Sequence, residues 1–223
     1  MVTVACVLWG DKFSPDYVYN LKSSVQRNST VDHKFVCFSD RLLPGIDTVV
    51  LNQGLAGWWN KLQLFDGRLD GQVVYLDLDT LIVDNIDWLL SYKGSFAGIE
   101  DLGCVNPHQA HLKGRLQSGI LCFDAQSASW IWTTFFLARE TITKTYRGDG
   151  EYLNATVTKR DLLQSLYPSE IKSYKYQVYP DNIDGASIIC FHGRPSIVQS
   201  ISEIVATARD KYMPQSWIRN HWR

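Results

Sequence analysis

With 223 residues, 45% of them hydrophobic, the chain is long enough to bury a core as a single domain spanning 1–223. Its 22 basic and 23 acidic residues give a formal net charge of −1, which excludes the broad basic footprint of a general nucleic-acid binder. No apolar run approaches the roughly 20 residues needed to span a bilayer.

Val2–Leu8 has no basic leader and reads as a strand rather than a signal peptide. Ser14-Pro15-Asp16 then starts a helix, with Ser14 as N-cap and Pro15 in the first turn. Val18, Leu21 and Val25 follow at helical spacing, and Asn28-Ser29 ends the pattern. Residues 34–39 and 48–51 predict short strands, 60–65 a short helix closed by Gly67, and 72–77 a strand. Further strands are expected at 95–99 and 119–123, and Ser127 is placed as the cap of a helix carrying Trp130, Ile131, Phe135 and Ala138. A helix is predicted over 151–165. Tyr174, Tyr176 and Val178 alternate as in a strand, 186–191 forms another, and 196–209 closes the series as a helix. Strands alternating with helices indicate an α/β domain with a mostly parallel central sheet flanked by helices. Cys6, Cys37, Cys104, Cys122 and Cys190 are an odd set without a C-x-x-C pair, and four lie in apolar runs. They read as reduced core thiols of a cytoplasmic protein.

Chemistry concentrates where the apolar run Val73-Val74-Tyr75-Leu76 meets Asp77-Leu78-Asp79. Carboxylates are seldom fully buried unless paired or bound to metal. Strand side chains two apart point to the same side, so Asp77 and Asp79 can converge on one hard cation, Mn²⁺ or Mg²⁺. A cation with open positions suits a diphosphate. Ligands of open α/β sheets sit at the carboxyl ends of the strands, which brings in Leu8-Trp9-Gly10-Asp11 and Phe191-His192-Gly193-Arg194-Pro195. His192 offers an imidazole and Arg194 a guanidinium for phosphate oxygens. A histidine there, taken alone, is more often a hydrogen-bonded structural residue.

Five segments in order resemble those of a GT-A glycosyltransferase close to family 8, the glycogenin-like and bacterial galactosyltransferase-like enzymes. Trp58-Trp59-Asn60-Lys61-Leu62 falls where such enzymes carry a donor-contacting Lys or Arg, and Tyr75-Leu76-Asp77-Leu78-Asp79 matches their hydrophobic-D-x-D. Leu116-Gln117-Ser118-Gly119-Ile120 is similar to their Asn-Ser-Gly step, and Gly148-Asp149-Gly150-Glu151-Tyr152-Leu153-Asn154 to Gly-Asp-Gln-x-x-Leu-Asn. Phe191-His192-Gly193-Arg194-Pro195 resembles the late His-x-Gly-Lys-Pro element, shortened and with Arg for Lys. The resemblance covers residues 2–195. It implies a Rossmann-like GT-A fold and a metal-dependent hexosyltransferase that moves a sugar from a nucleotide-sugar, by family preference a UDP-sugar, to a glycan or glycolipid, with retention of configuration. It also implies Asp77, Asp79 and His192 as ligands of Mn²⁺ or Mg²⁺, with Asp77 also facing the donor ribose. Lys61, Gly193 and Arg194 would lie on the phosphate side, Leu8, Gly10 and Tyr17 at the base, and Leu78 at the ribose. Gln117, Ser118, Asp149 and Glu151 would surround the transferred sugar, with Asp149, Glu151 and Gln117 as the catalytic candidates. The expected setting is the cytoplasm, at the inner face of the membrane for a lipid-linked acceptor.

The departures from the pattern matter. Gly150 stands where the family has Gln, so any role of that side chain is lost or shifted, and Gln117 is a longer amide than the usual Asn. A non-catalytic nucleotide-sugar-binding protein is therefore a rival. A haloacid-dehalogenase-type phosphatase is another, although its Thr comes two positions after the second Asp and Thr80 follows Asp79 at once. Of Trp58 and Trp59, one is expected in the core and the other half-exposed. Glu100, Asp101, His108 and His111 read as a loop over the acceptor side. The tail 212–223 mixes aromatics with Arg219 and Arg223. It is read as folding back or disordered, with at most weak peripheral contact with a membrane surface.

Overall fold

The computed structural model describes residues 1–52, 54–203, 205–206 and 211–223. Strand β1 (Val2–Leu8) is buried along its whole length, as its near-continuous apolar run demands of a strand covered on both faces. Helix α1 (Asp16–Arg27) lays Tyr17, Val18, Leu21, Ser24 and Val25 against the core. It begins one residue later than the capping motif predicts. Pro15 already has helical backbone angles, and its carbonyl accepts from the Val18 amide, while the Ser14 hydroxyl donates to Asp16 instead of capping. Next come β2 (His33–Ser39) and β3 (Asp47–Val50), then 3-10 turns over Gly57–Phe65.

Strand β4 (Gln72–Leu76) leads into β5 (Thr80–Ile82), the short helix α2 (Asp87–Leu90), β6 (Phe96–Glu100) and β7 (Leu116–Asp124). Helix α3 (Ala125–Ala128) is capped by Asp124, whose carboxylate accepts from the Ser127 amide at 2.8 Å. Ser127 is thus a recipient of the cap, not the cap. Helices α4 (Trp130–Leu137), α5 (Arg139–Thr145) and α6 (Asp149–Thr156) follow. The long helix expected over 151–165 stops at Thr156, where the Arg160 guanidinium donates to the carbonyls of Asn154 and Val157. The chain then extends as β8 (Asp161–Leu162) before one more turn, α7 (Leu163–Leu166).

The main sheet has the order β3-β2-β1-β4-β7-β6-β8. Neighbours from β3 to β4 are parallel, as is β6 with β8, while β7 runs antiparallel to both β4 and β6. The sheet is therefore mostly parallel, with one reversed strand. Alternate β1 residues enter opposite layers: Val4, Cys6 and Leu8 join α1, whereas Ala5 and Val7 meet Phe38, Leu62 and Phe65.

A second sheet, in the order β5-β10-β9, joins β9 (Ile171–Ser173) and β10 (Ile188–Cys190) to β5. Tyr174–Val178 is a π-helical turn rather than a strand. Tyr174 and Val178 are both fully buried, and Tyr174 stacks on Phe191 with centroids 4.3 Å apart. A spacing of four fits one face of a helix as well as one face of a strand, which is why the alternation misled. Helix α8 (Ile197–Ser202) opens with a capping box between Ser196 and Gln199 and ends early, Glu203 being extended. Residues 204 and 207–209 of that predicted helix lie outside the described residues. The chain closes with β11 (Val205–Ala206), β12 (Lys211–Tyr212) and α9 (Ile218–His221). The tail folds back: Ile218 is buried, Trp222 packs edge-on against Tyr17 at 4.8 Å, and the Arg27 guanidinium donates to the carbonyls of His221 and Arg223. Among the described residues, the cysteines are free thiols and no helix is long and apolar enough to cross a membrane.

Candidate active site

Reversal of β7 builds the site. Because Leu76 pairs with Ile120 and the Asp77 amide donates to the Gly119 carbonyl at 2.8 Å, the start of β7 lies beside the carboxyl end of β4. Ser118 thus comes next to Asp77, and α6 brings Asp149 from the far side.

Lys61 sits among them, only 7% exposed. Its Nζ lies 3.0 Å from Asp77 Oδ1, 3.2 Å from Asp149 Oδ2, and 3.1 and 3.2 Å from the carbonyl and hydroxyl oxygens of Ser118. The Ser118 hydroxyl donates in turn to Asp149 Oδ2 at 2.6 Å, and the Tyr75 hydroxyl donates to Asp77 Oδ1. Burial alone would lower the pKa of Lys61, but the charges of Asp149 and Asp77 outweigh it and hold the ammonium above its ordinary range. Burial, reinforced by Asp77, keeps the Tyr75 phenol protonated well past its usual value.

Asp79 follows at the entry to β5, and its carbonyl accepts from the Phe191 amide at 3.0 Å. Its carboxyl is raised to about 7, first by burial and then by the charge of Asp77, with Lys12 and Lys61 opposing. The two carboxylates thus face a shared space, in which the charge of Asp77 disfavours ionisation of Asp79. A divalent cation fits such a donor pair. His192 is neutral in this setting, its pKa lowered to about 4 by burial and by Lys175. Its Nε2 is engaged with the Ser173 hydroxyl at 2.7 Å. Among the described residues, no group of three His, Cys, Asp or Glu is gathered as a metal cage.

Above these groups lies a cleft open to solvent at its mouth. Asp77, Leu78, Asp79 and Lys61 line it, together with Trp9 and Tyr75, which the sequence reading named without a role of their own, and Lys12 and Phe13, which it passed over. Tyr75 was legible as the residue two before Asp77 on the same strand side, and Lys12 and Phe13 as the continuation of the β1 end. Leu8 is buried beneath, and Gly10 takes φ +57°, with its amide donating to Asp40 at 2.7 Å. Tyr17 packs its ring 4.8 Å from Phe13. Trp58 is exposed at the cleft, whereas Trp59 stacks on Phe135 at 5.4 Å, so the pair divides between site and core as expected.

Other predicted residues stand apart from the lysine cluster. Glu151 accepts from the backbone and guanidinium of Arg147. Gln117 keeps a buried Oε1 without a hydrogen-bond partner among the described residues. Gly193 has φ +75°, and Arg194 is exposed. Gly150 matters through its lack of a side chain, since a Cβ there would come within 3.3 Å of the Ser118 hydroxyl oxygen.

Neither a scan against protein-family models nor a sequence search of curated proteins finds a match. Solved structures do. The galactosyltransferase LgtC, in complex with donor and acceptor sugar analogues, is 13% identical with a TM-score of 0.62, over 87% of this chain and 88% of that one. The fold is that of the GT-A glycosyltransferases. The glycosyltransferase GlyE of Streptococcus pneumoniae matches over 96% of this chain and 65% of its own, at 12% identity and a TM-score of 0.65. The bifunctional glycosyltransferase WbbM is similar over 88% of this chain and 46% of its own, at 12% identity and a TM-score of 0.61.

Proposed function

We propose that the protein is a metal-dependent glycosyltransferase, close to family 8, that transfers a hexose from a UDP-sugar to a glycan or glycolipid with retention of configuration. The observation that carries this reading is the buried Lys61 ammonium clasped by Asp77, Asp149 and Ser118 at the carboxyl end of β4. Lys61 and Tyr75 both engage Asp77 Oδ1, which orients that carboxylate toward the cleft. Asp149, fixed by Lys61 and Ser118, is the carboxylate positioned for the sugar. Gln117 brings its unpartnered Oε1 as an acceptor for a sugar hydroxyl. Asp77 and Asp79 would hold Mn²⁺ or Mg²⁺, with His192 as a third ligand once its ring exchanges Ser173 for the ion. The metal would supply Lewis-acid stabilisation of the departing nucleoside diphosphate. Trp9, Phe13 and Tyr17 would bind the base side of the donor. We place the reaction in the cytoplasm, at the inner face of the membrane where the acceptor is lipid-linked.

Incubation with UDP-sugars and Mn²⁺ tests the reading: release of UDP is expected, accelerated by the right acceptor. Gly150 favours one second reading, a nucleotide-sugar-binding protein, because it removes a side chain beside Ser118. Tight binding with no turnover against a broad acceptor panel would select it. A phosphatase fits less well, since Thr80 is buried in β5 opposite Cys190. Phosphate release from a phosphomonoester, insensitive to UDP, would overturn both sugar-based readings.

A further inference from the structure

Lys61 is fully committed. An ammonium has three N–H donors, and four acceptor atoms surround this one: Asp77 Oδ1 at 3.0 Å, the Ser118 carbonyl at 3.1 Å, and Asp149 Oδ2 and the Ser118 hydroxyl at 3.2 Å. No proton is left over for an incoming phosphate, and withdrawing one would strand a buried carboxylate. The cleft nevertheless has two carboxylates in its lining, Asp77 and Asp79, and in the proposed reaction it receives a dianionic diphosphate.

Lys12 has the opposite character. It lines the same cleft and is exposed, and among the described residues it makes no ion pair or hydrogen bond. Its Nζ rests 4.6 Å from the centroid of the Phe13 ring, which also lines the cleft. A cation over an exposed aromatic face is held by about 0.5–1 kcal/mol, enough to bias its direction and not enough to hold it there. A flexible stem carrying a compact charge is well suited to follow a phosphate group as it arrives and leaves.

We propose that Lys12, and not Lys61, is the lysine that pairs with the donor's diphosphate. It swings from Phe13 onto the phosphate oxygens, while Lys61 remains a positioning residue for Asp77 and Asp149. This assignment rests on the nucleotide-sugar reading above. It makes the end of β1 a two-part recognition element, with Phe13 for the base side and its neighbour Lys12 for the phosphate side.

The test compares binding of a nucleoside diphosphate with binding of its nucleoside, so that phosphate recognition is isolated from base recognition. Wild type, Lys12→Met and Lys12→Arg are titrated calorimetrically with UDP, GDP, ADP and CDP, and with the nucleoside of the tightest binder, in EDTA to remove any metal. Lys12→Met is expected to weaken the diphosphate roughly tenfold, as for loss of one charge-assisted hydrogen bond, and to leave the nucleoside unchanged. Lys12→Arg should restore most of the affinity. The position is exposed, so the thermal midpoint of Lys12→Met should match wild type. Equal diphosphate affinity in wild type and Lys12→Met overturns the role of Lys12 and leaves the nucleotide-sugar reading standing. An equal loss for nucleoside and diphosphate also overturns it, because the effect then belongs to the base side. Failure of wild type to bind any of the four diphosphates, with or without Mn²⁺, overturns the nucleotide-sugar reading and this inference with it.

Discussion

Lys61 joins Asp77 to Asp149, with its Nζ 3.0 Å from one carboxylate and 3.2 Å from the other. The link closes a charge balance inside the fold: Lys61 is 7% exposed and Asp149 4%. Breaking a buried pair by removing one partner leaves an uncompensated charge, at a cost of about 3–5 kcal/mol. Lys61→Met keeps the stem and drops the charge, so a loss of that size is expected in urea unfolding. Lys61→Met combined with Asp149→Leu should recover more than half of it, because an apolar replacement of both partners is often near neutral. Transferase activity should be lost in both variants, which separates the structural from the chemical role.

The crowding of Asp79 by Asp77 predicts a response to divalent ions. A cation that binds the native state alone raises stability with occupancy, and the pair offers it two oxygens and relief of mutual repulsion. Mn²⁺ should therefore raise the melting temperature of wild type in a concentration-dependent way, and EDTA should reverse it. Asp79→Ala should abolish the metal-dependent part of the shift. An undiminished shift in that variant would move the metal elsewhere.

Asp87 predicts a pH dependence far from the cleft. Its carboxylate accepts from the Ser29 hydroxyl at 2.7 Å, the Thr30 amide at 2.8 Å and the Thr30 hydroxyl, pinning the exit of α1 to the start of α2. The hydroxyls of Thr30 and Ser29 are the main causes that depress its pKa well below the usual carboxylate range. A depressed folded value means the contribution is present in full above the unfolded value of about 3.9 and is lost as pH falls toward the folded one. Asp87→Asn should be less stable than wild type at pH 7, and the gap in denaturation midpoint should narrow steadily below about pH 4.

Trp222 tests the folded-back tail. Its edge-on contact with Tyr17, centroids 4.8 Å apart, continues through Tyr17 to Phe13 at 4.8 Å and so to the cleft. Trp222→Ala should cost about 0.5–1.5 kcal/mol beyond the lost area. It should also raise KM for the donor while leaving kcat close to wild type, because Phe13 loses its support and the carboxylates do not. Steady-state kinetics with varied donor would show the split; a fall in kcat alone would disconnect the tail from the base side.

How much of this was readable beforehand differs from residue to residue. The strands at Val2–Leu8 and Gln72–Leu76 announced themselves through uninterrupted apolar runs, and Asp77 and Asp79 through two charges where burial forbids them unpaired. What stayed hidden was tertiary. Nothing local to Tyr174 distinguishes a strand face from a π-helical turn, because the deciding contact is its stack on Phe191. Nor does any local pattern reveal that Lys61 spends its protons on Ser118 and two carboxylates, since those partners arrive from β7, β4 and α6. Lys12 escaped notice for a different reason: its only signal was its place just past the end of β1, and its role shows only once the cleft around it is drawn.

The reversed strand β7 has a kinetic consequence. Ser118 can reach Lys61 only after β7 has zipped against β4 from Asp124 opposite Gln72 to Ile120 opposite Leu76, and Asp149 follows only when α6 docks behind it. Pairings between distant stretches of chain form late, after the loop entropy between them has been overcome. During refolding the lysine is therefore expected to stay hydrated through the early steps and to be sealed in by the final ones. Nucleotide affinity should emerge as the last observable of refolding, later than helical signal, which makes the cleft its own reporter of a finished chain.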